Sequence, residues 1–143
     1  MTATLAEVRQ AIKQRLGEVA GLDTVYGYHN GSPTPPCAIV GWPDQLSLGQ
    51  RLGDKSAWEA TIPVQLLIST AGDNVAADEA LGQFTNPTGP SSIQEAFDLD
   101  PALGGVIDGY AVVVSFNQFG VAQFADGGIQ YLSGIVNIEV QST

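Results

Sequence analysis

The segment Ser91–Ser115, SSIQEAFDLDPALGGVIDGYAVVVS, constrains the fold more than any other part of this chain, because each change of backbone state in it is marked. Ser92 with Glu95 three residues on has the spacing of a capping box, in which each side chain satisfies an orphan N–H at a helix start. Ile93, Ala96 and Phe97 follow at i, i+3 and i+4, one apolar face of a short helix. Asp100-Pro101 ends it, since proline disfavours helical backbone in the residue before it. Gly104-Gly105 turns the chain, and Tyr110–Ser115 reads as a strand. Helix, loop and strand in such quick succession are a scaffold pattern, with no nucleophile–base pair and no metal-ligand spacing.

The same logic extends to both ends. Thr4 and Glu7 form a second capping box, and Leu5, Val8, Ile12, Leu16 and Val19 make an apolar stripe that predicts a sheet-packed helix ending near Gly21. Arg9, Lys13, Glu7 and Glu18 are assigned to its other faces. Thr24–His29 and Cys37–Trp42 read as strands across a Gly/Pro-rich connection. Residues 43–56 read as a long polar loop or arm carrying Leu46, Leu48 and Leu52, a kind of segment that is usually functional or disordered. From Ala57 to Thr70, Trp58, Ala60, Ile62, Val64 and Leu66 alternate along the longest strand candidate. A second helix is predicted from Asp73 through Phe84, and two closing strands over Val106–Phe119 and Ile129–Gln141. This order predicts an α+β fold: a mixed, mainly antiparallel sheet with helices packed on one face, in a single small domain spanning residues 1–143.

A chain of this length buries roughly two-thirds of its extended surface, enough for a core without staples. Its one cysteine, Cys37, excludes an internal disulfide framework and fits a reducing compartment. The opening MTATLAEVRQ does not read as a signal peptide, and no apolar run is long enough to span a membrane. All five basic residues, Arg9, Lys13, Arg15, Arg51 and Lys55, lie in the first 55 positions; the rest carries only acids, and the net charge is −10. Phosphate binding needs lysine or arginine to release counterions. The charge pattern therefore speaks against a nucleic-acid reader, and 14% charged residues, low for a soluble monomer, suggests surface hidden in an assembly.

Catalytic patterns are weak. Gly49–Ser56, GQRLGDKS, resembles a phosphate-binding loop but is one residue short, has Asp54 before the lysine and follows no apolar strand. Asp98-x-Asp100 lacks the glycine of a calcium loop and runs into Pro101. The Asn30-Gly31-Ser32 sequon reads as a turn. His29, the only histidine, and Cys37 could meet across neighbouring strands as a small hydrolase or binding site, but no third orienting group is evident. No enzyme, cofactor or metal site is expected.

The wording Ser92-Ile93-x-x-Ala96-Phe97, the acidic loop ending in Leu103-Gly104-Gly105 and the β run after it resemble the tail-terminator (tail-completion) proteins of long-tailed bacteriophages. The opening amphipathic helix, the Val25-Tyr26 strand, Pro35-Pro36-Cys37-Ala38-Ile39-Val40 and the closing hairpin with Tyr131, Ile135, Ile138 and Val140 extend the likeness over nearly the whole chain. The resemblance implies a homohexameric ring in the virion, at the head-proximal end of the tail and assembled in the bacterial cytoplasm. Such a ring caps the tail tube, ends its polymerisation and offers a docking face to a head-completion or neck protein, while DNA passes through without specific binding and no membrane is involved. Neck connector proteins of the head–tail interface share much of the pattern and are the alternative. Leu46, Leu48, Leu52, Phe119 and Phe124 are then the candidate assembly contacts. Asp73, Asp78, Glu79, Asp98 and Asp100 are candidates for an acidic lumen or rim, because a ring of such acidic subunits must keep its carboxylates in water.

Overall fold

The structure, a computed structural model, describes residues 3–22, 24–27, 36–48, 57–69, 74–124 and 129–142. Helix α1 spans Leu5–Leu16, followed by strands β1 (Thr24–Tyr26), β2 (Cys37–Val40), β3 (Leu46–Leu48) and β4 (Trp58–Ser69). Helices α2 (Asn74–Thr85) and α3 (Ile93–Asp98) come next, then strands β5 (Tyr110–Phe124) and β6 (Ile129–Ser142). Among the described residues six strands form one sheet of order β1-β2-β4-β6-β5, with β3 paired to β4 beside that path. Of the described pairings only β1–β2 is parallel and the other four are antiparallel, which gives the mixed, mainly antiparallel sheet expected.

The alternation along β4 sends Trp58, Ala60, Ile62, Val64, Leu66 and Ile68 to one side, where they join Val136, Ile138 and Val140 of β6. Val8, Ile12 and Leu16 of α1, Ala77 and Phe84 of α2, and Ile93, Ala96 and Phe97 of α3 close that core, so the helices cover one face. A smaller cluster of Cys37, Ile39, Leu67 and Tyr131 lies apart from it and contains no helix residue.

Both helix starts carry the predicted caps: Thr4 Oγ1 accepts from Glu7 N–H and Ser92 Oγ from Glu95 N–H, each at 3.1 Å. The return halves differ from a capping box. Thr4 Oγ1 donates to the Glu7 carboxylate, whereas Glu95 Oε2 accepts from Gly89 N–H at 2.6 Å and so ties down the turn before α3. Helix α1 stops at Leu16 rather than near Gly21. Tight turns follow, with Val19 N–H bonded to Leu16 O, and they keep Val19 buried on the stripe's line after the helix has ended.

The predicted loop over residues 43–56 contains strand β3, in register with β4 as Leu46↔Ala60 and Leu48↔Trp58. The first two predicted strands are shorter than expected, Trp42 lies outside β2, and β5 continues past Phe119 to Phe124. One edge of β4 is thus shared, by β3 over Trp58–Ala60 and by β2 over Val64–Leu67. Pro63 sits in the gap between them. Its carbonyl accepts from Gly41 N–H on that side, so its missing N–H points there too and costs the β4–β6 ladder nothing.

Candidate assembly surfaces

The helical pattern puts Arg9 on a face other than the apolar stripe, yet it lies i+4 from Leu5 and i−3 from Ile12, at the stripe itself, and is only 9% exposed. Its fork donates to three backbone carbonyls: Nε to Gly41 O at 2.8 Å, and Nη2 to Gly27 O at 2.8 Å and Val40 O at 2.7 Å. These carbonyls close the ends of β1 and β2, so one guanidinium fastens the parallel pair to α1. Burial lowers its pKa from the usual value. The exposed ring of Trp42 covers the guanidinium at 4.0 Å. Arg15 plays a smaller part of the same kind, donating to Ala96 O at 2.6 Å near the end of α3, where carbonyls lack helical partners.

Trp42 (61% exposed) begins an apolar strip that continues into β3, where Leu46 and Leu48 (59%) are both exposed. Register with Ala60 and Trp58 puts both leucines on the helix side of the sheet, at an outer edge. Leu52 lies outside the described residues. At the opposite edge runs β5, which among the described residues pairs only with β6. From Gly109 to Ala125 the chain has no charged residue. Register shifts at Val113/Ser115 and Asn117/Gly120 interrupt β5, leaving Val114 exposed and Gln118 with φ 53°. Within the second shift Phe119 lies across Gly134: a Cβ there would come within 2.9 Å of the ring, so the missing side chain makes the ring's seat. Even so, Phe119 is 53% exposed and Val121 63%. The backbone of Phe124 pairs with Ile129, and its side chain lies outside the described residues.

The carboxylates fall into two groups. Asp78 and Glu79 are exposed on α2, and Asp98 at the end of α3; Asp100 is half-buried, its Oδ1 accepting from Gly104 N–H at 3.0 Å. These belong to the helix side, while Asp73 lies outside the described residues. The second group has no signature in the sequence. Asp44, Glu59 and Glu139 line a cleft of about 390 Å³ with Ser47, Thr61 and Asn137. Glu59 and Glu139 alternate with the core residues of β4 and β6, so they mark the face without helices. Only the register of the two strands, invisible in one sequence, joins them.

Catalytic candidates do not assemble among the described residues. No group of three His, Cys, Asp or Glu side chains there could hold a metal ion. Cys37 is fully buried, and burial pushes its thiol up to about 11, opposite to what a nucleophile needs. His29, the Asn30–Ser32 sequon and the Gly49–Ser56 loop lie outside the described residues. No described helix is long and apolar enough to cross a membrane. No protein-family model matches this chain, and no curated protein matches it.

Proposed function

We propose that this chain is a structural virion protein of a long-tailed bacteriophage, whose copies join head to tail into a ring, six in number, that caps the tail tube. Such a ring ends tube polymerisation and offers the face on which the head-completion or neck protein docks, without catalysis or cofactor. The order of elements and the Ser92–Gly105 wording support this reading. The observation that carries it is β5, a 15-residue edge strand without one charge, in a chain of net charge −10. Proteins that remain monomeric usually protect such edges with charge, proline or a covering element. Here, among the described residues, two bulges interrupt it, and Val114 and Phe119 stay about half exposed and Val121 more than half.

Electron microscopy and light scattering of the purified protein, alone and with tail tubes, test the proposal. Rings are expected, and they should grow more stable as salt rises from about 0.05 to 0.5 M because like-charged subunits are then screened from one another. Duplex DNA should not bind at low salt. A strict monomer even on tail tubes would refute the reading, as would tight DNA binding that salt weakens.

A further inference from the structure

If copies join head to tail, two different patches of the chain must meet. The sheet offers two apolar ones at its opposite edges, β5 without any charge and the Trp42–Leu48 strip with Asp44 alone. Carrying the sheet from one copy into the next without inverting it sets β5 beside the edge formed by β1, β2 and β3. Strand β5 runs parallel to its own β4, and β3 antiparallel to β4, so β5 would meet the next copy's β3 antiparallel, the more stable pairing.

The shared edge of β4 then sets the register. Beside β3, over Trp58–Ala60, no described strand occupies the outer position; further along, β1 fills it next to β2. A strand entering beside β3 points toward β1 and must end there. Gly120–Phe124, the last run of β5, meets that condition, and Tyr110–Val113 does not. Faces agree as well. Val121 pairs with Leu132, and Leu132 with Ile68, which places Val121 on the helix side, and Phe119 lies over Gly134 on that side. Leu46 and Leu48 face the same way.

From this geometry, which rests on the ring reading above, we infer that the seam between copies is a β5–β3 strand pairing. The Phe119–Val121 end of one copy packs on the Trp42–Leu48 strip of the next. The occupant is a second copy rather than a charged partner, because neither patch provides charge for recognition: β5 has none, and Asp44 is the only ionisable residue of Gly41–Leu48. Strand addition of this kind takes its affinity from main-chain bonds and its specificity from alternate side-chain contacts.

Mixing single-cysteine variants tests the seam. Leu48→Cys and Val121→Cys are prepared separately, with the buried Cys37 as an internal unreactive thiol, then combined and treated with a short bismaleimide. Crosslinked dimer should form in the mixture and in neither variant alone, and Leu46→Cys with Phe119→Cys should behave alike. Val121→Lys should convert rings to monomers while the thermal midpoint stays within a few degrees. Crosslinking of Val121→Cys with itself would mean a two-fold β5–β5 contact and would overturn the inference, as would rings of Val121→Lys. Rings with no mixed crosslink would overturn the seam yet leave the ring standing, whereas monomers on tail tubes would remove both.

Discussion

Replacing the buried Arg9 with alanine should destabilise the subunit more than removing any exposed charge, and the size follows from its partners. The side chain makes three charge-assisted bonds, of which the one to Val40 O is buried. Without it, an unsatisfied Val40 carbonyl costs about 1–3 kcal/mol, while the Gly27 and Gly41 carbonyls regain water in part and lose about 1 kcal/mol each. The contact with Trp42 adds about 0.5–1 kcal/mol, and freeing a long side chain returns up to ~2 kcal/mol. The balance is a loss of roughly 2–4 kcal/mol. Arg9→Lys should recover less than half of it, because one ammonium cannot span three carbonyls as the planar fork does. Urea denaturation followed by circular dichroism measures both, and hydrogen exchange should show the ends of β1 and β2 loosening first. A loss below about 0.5 kcal/mol for Arg9→Ala, or full rescue by lysine, would refute the account of one side chain fastening two strand ends.

Ile12 is fully buried on the same helix, so Ile12→Ala should cost roughly 2–5 kcal/mol in the same denaturant assay; a loss under about 0.5 kcal/mol would mean that α1 does not pack as described. Gly109 stands where a Cβ would lie 1.7 Å from Gln141 O, so Gly109→Ala must push β5 from β6 and should lower stability by about 1–3 kcal/mol, measured by thermal melting. For Cys37, the folded pKa is raised from 9.0 to about 11, so the unfolded chain loses its proton first. Its contribution is complete below pH 9 and is lost as pH rises through 11, by up to ~3 kcal/mol. The difference in stability between the native chain and Cys37→Ala should therefore shrink over that window, and a difference independent of pH would contradict it.

What the sequence disclosed was the set of elements governed by local rules. The alternation of Trp58–Ile68, the stripe of α1 and the hydroxyl caps at Thr4 and Ser92 depend on neighbours a few residues away, and all three are present. What stayed hidden depends on distant partners. Arg9 is buried because carbonyls some 18 to 32 residues away converge on it, an arrangement its own helix pattern cannot express. Strand β3 is not legible in the sequence because three residues are too few for a period, although Leu46, Ser47 and Leu48 do alternate. Glu95 has capping-box spacing but bonds Gly89 N–H, while the cap's own N–H, of Ser92, donates to Gly89 O in the turn before α3. Of the candidate contacts, Leu46, Leu48 and Phe119 are exposed on one side of the sheet at its two opposite edges, a relation that only topology reveals.

The charge pattern gains a sharper meaning from that topology. A sequence with acids throughout its last two-thirds suggests one acidic surface, but the fold splits the carboxylates, with the helices carrying one group and the two-residue period of β4 and β6 sending another to the opposite face. Asp78, Glu79 and Asp98 project on the helix side, and Glu59 and Glu139 on the bare side. In a ring whose sheets join edge to edge, one face turns toward the axis and the other away, so only one group can meet the DNA that such a ring passes. Neutralising them separately distinguishes the two. Glu59→Gln with Glu139→Gln removes two charges per copy from the bare face, and Asp78→Asn with Glu79→Gln removes the same number from α2. The pair nearer the axis sits where copies crowd together. Its neutralisation should therefore relieve the larger repulsion, and rings should form at lower salt than with the other pair. Equal shifts from both pairs would mean that neither face is turned inward, and the edge-joined ring would have to be given up.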